Sequence, residues 1–165
     1  INHGPNMGED VLYSGTVAAA MEGLALGVPA IAVSYAGREM IGAKESLLDD
    51  LVEPLNKLLA HLTSLPAFPV HTLFNVNMPA VPVSHIKGVK LTKLGRRTFS
   101  DSIAKMKDPW GRPIYWIGGG SVTWTAEDGT DVSAVRDGYI SVTPLHLDVT
   151  FQARLDDADT WWKAP

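Results

Sequence analysis

The sequence predicts an α/β fold: a mostly parallel sheet flanked by helices, with an extended β-hairpin arm. Three observations predict it. Near the start, a Gly/Asn-rich loop runs into an apolar helical pattern and, a few residues later, into a short buried-type strand, which is half of a βαβ unit. A leucine stripe of helical period then runs from Leu47 to Leu62. From about Pro82 the helical period disappears, prolines and basic residues thicken, and short alternating runs replace it.

Composition narrows the classes. Of 165 residues, 45% are hydrophobic and 19% charged, which is globular and not disordered. The length suits one domain with a substantial core. A net charge of −4 argues against a nucleic-acid polymer as partner, because phosphate backbones reward a basic surface. The absence of cysteine excludes disulfides and thiolate metal sites. No apolar run reaches about 18 residues, so no membrane span is expected.

The opening loop, Asn2-His3-Gly4-Pro5-Asn6-Met7-Gly8, ends in Ser14-Gly15-Thr16 at the start of a helix. Val17, Met21 and Leu24 recur at i, i+4 and i+7, with Ala18, Ala19, Ala20 and Ala25 between them as strong helix formers. Ser14 is a natural N-cap. Free N–H groups and the positive dipole end favour an anion there, and the Ser14 and Thr16 hydroxyls add neutral donors. A phosphate is the natural occupant. A plain cap after a plain turn would carry the same residues, and the loop matches neither the GxGxxG fingerprint nor the Walker pattern.

Gly27 marks the end of this helix, and Ala30–Ser34 reads as a buried parallel strand. Residues 34–42 form a loop; Arg38 and Glu39 lie in it near a strand's C-terminal end but read as surface. Residues 43–62 are helical, with Pro54 expected to kink or split the helix, and residues 64–66 end it. Thr72–Met78 is a strand that puts Asn75 and Asn77 on one face, in a structural role favoured over a place in the site.

Beyond Pro82, the alternation of Val89 and Leu91 with Lys90 and Thr92 marks a half-exposed strand. Turn chemistry over residues 108–113 leads to a second strand, Ile114–Ile117, and the two suggest an extended arm. Such an arm needs a neighbour to pack on. Gly118–Gly120 reads as a corner. Residues 127–131 read as an acidic loop without EF-hand spacing, so calcium has little support. Asp137-Gly138 turns into a strand over 139–144 that continues to Thr150, and 151–162 reads as one closing helix. His3, His61, His71, His85 and His146 show no HExxH or i, i+4 pairing, so zinc-protease chemistry is unsupported. The organisation expected is a core over 1–81, a β arm for oligomer contacts over 82–120, and closing strands with a C-terminal helix over 121–165.

Asn2-His3-Gly4-Pro5-Asn6-Met7-Gly8 followed by Tyr13-Ser14-Gly15-Thr16-Val17 resembles the survival-protein-E (SurE) family of metal-dependent 5′-nucleotidases. Further matches follow in family order: Asn75-Val76-Asn77-Met78-Pro79, Trp116-Ile117-Gly118-Gly119-Gly120, Gly129-Thr130-Asp131, and Gly138-Tyr139-Ile140-Ser141-Val142-Thr143-Pro144-Leu145. The resemblance implies a Rossmann-like, three-layer fold whose N-terminal strands are expected upstream of Ile1. It implies Asn2 as a ligand of one divalent ion, Mg²⁺ or Mn²⁺, and Asn6, Ser14, Gly15 and Thr16 as the phosphate pocket. No residue of this chain is expected to be the catalytic base, because the family's paired aspartates and its metal-binding serine would lie upstream. The 165 residues alone are therefore expected to be catalytically silent. Also implied are nucleoside monophosphates as substrates, a homodimer or homotetramer reached by the C-terminal segment around His146, and a cytoplasmic location. A nucleotide- or phosphate-binding module without turnover, or a purely structural oligomerising unit, would use the same loop.

Overall fold

The computed structural model describes residues 1–37, 46–65, 71–99, 103–117, 122–125 and 127–163. In chain order the elements are β1 (Asn2–His3), α1 (Gly15–Ala25), β2 (Ala30–Tyr35), α2 (Ser46–Thr63), β3 (Thr72–Met78), β4 (Val89–Leu91) and β5 (Arg96–Phe99). Then follow β6 (Ile103–Lys107), β7 (Pro113–Ile117), β8 (Val122–Thr125), α3 (Asp131–Arg136), β9 (Ile140–His146), α4 (Gln152–Asp156) and α5 (Ala158–Trp161).

Among the described residues a five-stranded sheet runs in the order β1-β2-β3-β9-β4. The pairs β1–β2, β2–β3 and β4–β9 are parallel, and β3–β9 is antiparallel. The α/β class and the predominance of parallel pairing are as the sequence predicts.

Strand alternation sorts the two faces of the sheet. Phe74, Val76, Met78, Ile140 and Val142 turn to α2 and meet Leu51, Leu55, Leu58 and Leu62 in the largest apolar cluster. The other face is divided. Ala30, Ala32 and Leu73 pack under Val17 and Leu24 of α1. Toward the carboxyl ends of β2 and β3 the same face becomes polar: Ser34, Asn75, Asn77, Ser141 and Thr143 are all buried there. The loop after β1 closes over this polar end.

Several expectations change. The Val89–Leu91 strand is not half of the arm; it joins the main sheet beside β9, pairing Val89 with Ile140 and Leu91 with Val142. The partner of β7 is β6, across the turn held by Asp108, whose carboxylate accepts from Trp110 N and Arg112 N at 2.9 Å each. The arm also has a root, β5 paired antiparallel with β8, so β8 beyond residue 120 lies with the arm and β4 within 82–120 lies with the sheet. Local alternation shows that a segment is a strand but not which edge it completes.

Helix α2 is continuous through Pro54 instead of split. A proline removes one backbone bond, and the buried leucines on either side hold the helix together. The strand from 139 stops at His146, and the closing helix is two short ones interrupted at Asp157. Asp131, read as loop, opens α3 behind the N-cap of Thr130. The loop residues Arg38 and Glu39, the first residues of the predicted 43–62 helix, Pro66 and the Gly118–Gly120 corner lie outside the described residues.

Candidate active site

Asn2 sits on β1 with its Cα opposite Ser34, at the carboxyl ends of three parallel strands. In open α/β sheets ligands collect at that edge. Its side-chain nitrogen donates to Gly4 O at 2.9 Å, which orients the amide.

Asn6 is held from below. Asn77 Oδ1 accepts from Asn6 N at 2.9 Å, and Asn75 Nδ2 and Asn77 Nδ2 both donate to Asn6 O, at 2.8 and 3.0 Å. The Asn6 side chain donates to Ser34 Oγ at 2.7 Å. The structural role expected of Asn75 and Asn77 is therefore also a place beneath the site: they fix the loop's backbone. Asn75 Oδ1 is buried and has no hydrogen-bond partner among the described residues, the setting in which an ordered water is usual.

After Asn6 the chain makes a 3-10 turn over Gly8–Tyr13 that delivers Ser14 to the start of α1. Ser14 Oγ accepts from Val17 N at 3.1 Å, and Ser14 O accepts from Ala18 N at 2.9 Å. Helix geometry leaves the N–H groups of Gly15 and Thr16 without intrahelical acceptors. Among the described residues nothing stands within 4 Å of where a Gly15 Cβ would be.

Asn2 and Thr16 line one cavity of about 710 Å³, with Ala19 and Ala20 of α1, Ala30–Val33 of β2, and Leu55 and Leu59 of α2. It runs along the edge of β2 beyond the two-residue β1. Both residues border this space, whose lining is otherwise apolar, as the uncovered edge of a sheet between two helices would be. Asn6 lies deeper, with its side chain turned to Ser34.

Asp131, which the sequence places in a family match and an acidic loop without a role of its own, is fully buried. Its Oδ2 accepts from Gly8 N at 2.8 Å, and its Oδ1 from Gly95 N at 2.7 Å and Val132 N at 2.8 Å. Burial pushes its pKa up, and the three N–H donors pull against that rise. Thr130, an N-cap whose Oγ1 accepts from Ser133 N at 3.2 Å, was the local signal for a helix here.

The donor set tests whether a divalent ion fits. Mg²⁺ and Mn²⁺ take hard oxygens, usually with carboxylates among them. The Asn2 carbonyl is one such oxygen. The carboxylates nearest the loop are engaged elsewhere: Asp10 with the Arg97 guanidinium, Glu9 with Arg97 N at 2.6 Å, and Asp131 with backbone. Among the described residues no group of three or more His, Cys, Asp or Glu side chains is placed to hold a metal. These residues offer one ligand and not a whole site, so no hydrolytic step is assigned to a metal on their basis.

The sheet between α1 and α2, with a polar loop at the carboxyl ends of its parallel strands, defines a Rossmann-like α/β protein. The family model of survival protein SurE matches residues 1–101, and the chain belongs to that family. It is 65% identical over 165 residues to the 5′-nucleotidase SurE of Gemmatimonas aurantiaca, covering all of this chain and 65% of the relative. It is 47% identical over 150 residues to the 5′-nucleotidase SurE of Aquifex aeolicus, covering 91% of this chain and 57% of the relative. The crystal structure of the SurE protein from Aquifex aeolicus superposes with a TM-score of 0.76 at 39% identity, covering 97% of this chain and 62% of that one. The chain therefore spans 57% and 65% of the length of these two curated relatives.

Proposed function

We propose that the protein is a divalent-metal-dependent phosphomonoesterase that hydrolyses nucleoside 5′-monophosphates. The observation that carries this reading is the loop that runs from Asn2, at the carboxyl ends of the parallel strands, to the Ser14 N-cap, joining a hard oxygen donor to an anion-receptive helix start. The name 5′-nucleotidase SurE, borne by relatives up to 65% identical, supports the reaction class.

In this reading Asn2 is one ligand of a Mg²⁺ or Mn²⁺ ion, and Ser14, Gly15 and Thr16, with Asn6 behind them, form the phosphate pocket. The ion, when bound, supplies Lewis-acid polarisation and an activated water. The chain's own part is electrostatic and positional. The Gly15 and Thr16 N–H groups and the Ser14 and Thr16 hydroxyls hold the phosphoryl oxygens, and the Asn75–Asn77 pair keeps the loop from shifting. No residue of this chain is assigned as the base. Anchoring by phosphate suits a loose preference among nucleosides.

The same proposal includes a cytoplasmic homodimer or homotetramer without a nucleic-acid polymer or a membrane as partner. Its support is the arm, whose Ile103, Met106, Trp110, Tyr115 and Trp116 are all exposed. None of the helices among the described residues is long and apolar enough to cross a membrane.

The test is hydrolysis of nucleoside monophosphates and p-nitrophenyl phosphate by the complete protein. EDTA should abolish turnover, and Mn²⁺ or Mg²⁺ should restore it. Undiminished activity in EDTA would sink the metal assignment. Phosphate binding without turnover under any metal would favour a non-catalytic binding module.

A further inference from the structure

The 3-10 turn that leads to Ser14 is fastened to the root of the hairpin arm at three successive residues. At Gly8 the fastener is the buried Asp131 carboxylate, which takes Gly8 N on one oxygen and Gly95 N on the other. Gly95 lies just before β5. At Glu9 the carboxylate accepts from Arg97 N at 2.6 Å. At Asp10 both carboxylate oxygens meet the Arg97 guanidinium, whose side chain is only 20% exposed and stacks 5.3 Å from the Trp124 ring of β8.

Steric space at the joint has the same purpose. A Cβ on Gly8 would stand 2.7 Å from Gly95 O, and one on Gly95 would stand 2.7 Å from Val132 Cγ2 and 3.1 Å from Asp131 Oδ1. Two glycines let two backbones approach one carboxylate that no side chain could share. A surface decoration has no need of such a joint.

We propose that the arm root is a positioning element of the phosphate pocket, with Asp131 and Arg97 the residues that hold the Gly8–Tyr13 turn, and hence Ser14, in place. The proposal rests on the reading of the α1 start as the phosphate site. It makes the pocket's shape depend on how the arm is seated, since β5 and β8 carry the arm and grip the turn.

Asp131→Asn keeps the shape but turns an amide N–H₂ either to Gly8 N or to Gly95 N and Val132 N, so one side of the joint opens. Arg97→Gln removes the ion pair and the ring contact without touching the buried carboxylate. Leu62→Ala in the α2 cluster is the control for loss of stability alone, because it lies on the opposite face of the sheet. The measurement is the Kd of inorganic phosphate, by calorimetry on the complete protein, well below each variant's unfolding midpoint.

Asp131→Asn should raise the phosphate Kd about tenfold or more and Arg97→Gln about threefold or more, with Leu62→Ala at the wild-type value. If Asp131→Asn does not fold, Arg97→Gln decides. Wild-type Kd in the variants, or an equal rise in Leu62→Ala, would overturn the positioning role while the phosphate site stands. A wild-type protein that binds no phosphate would overturn both together.

Discussion

Asn77 grips the backbone of Asn6 at both of its polar groups, accepting from the N–H at 2.9 Å and donating to the C=O at 3.0 Å. The contact spans 71 residues and imitates a strand pairing with a side chain. It turns the end of β3 into a template for a loop that has no ladder of its own. Asn75 repeats the donation at 2.8 Å.

Replacing Asn77 with Leu should therefore loosen the loop by more than one average hydrogen bond. The Asn6 N–H loses its acceptor, and a buried unsatisfied backbone group costs about 1–3 kcal/mol. Chemical denaturation should show a loss of roughly 2 kcal/mol or more. An unchanged midpoint would mean that water replaces the amide without penalty.

Ser14→Ala and Asn2→Ala should separate phosphate from metal. Losing a hydrogen bond to a charged group costs about 1.5–3 kcal/mol, one to two decades in KM or kcat, and the lost cap adds about 1 kcal/mol of instability. Metal affinity should be nearly intact in Ser14→Ala and reduced in Asn2→Ala. A Ser14→Ala variant altered only in its metal titration would reverse the two roles.

Gly8→Ala should be costly for two reasons. Its φ of 53° lies in the left-handed region, where a side chain costs about 1–2 kcal/mol, and the added Cβ would meet Gly95 O at 2.7 Å. Thermal unfolding should show a clear loss of stability. Gly4→Ala, at a φ of 97° with open space around it, should suffer the backbone strain without the clash. Equal losses in both would show that the contact with Gly95 is unimportant.

The burial that lifts the Asp131 pKa above the ordinary aspartate value of 3.8 has a signed consequence. Between the ordinary and the raised value, the folded protein keeps a proton that the unfolded chain has released. The associated stability is complete below the ordinary value and is lost as pH rises through the raised one. The unfolding free energy of wild type minus that of Asp131→Asn should fall as pH is raised across this window. A difference that grows with pH would mean the backbone donors outweigh burial.

Removing the outer arm, residues 103–117, should lower the mass of the complete protein in light scattering, since exposed Tyr115 and Trp116 would no longer reach a neighbouring copy. An unchanged assembly would place the interface elsewhere, for instance on the exposed Phe151, Trp161 and Trp162.

Much of the core was legible because its signals are local. The Ser14 cap, the spacing of Val17 and Leu24, the β-branched run of β2 and the leucine stripe of α2 each act within a few residues. Asn2 and Asn6 entered the candidate site through the family resemblance, and Ser14 and Thr16 through the helix start as well. Strand partnership was another matter. Val89–Leu91 looks the same as an arm strand or as a sheet edge, and only the free edge of β9 decides between them. Asp131 reads as one acid in an acidic loop until Gly8 and Gly95, 123 and 36 residues away in sequence, bring their N–H groups to it. Periodicity, caps and turns are properties of neighbouring residues, so the sequence by itself determined α1, β2, α2 and β3 and the loop that carries the candidate site. Which edge each strand completes and which backbone a buried carboxylate or amide satisfies depend on groups far apart in the chain, and only the tertiary structure decided those.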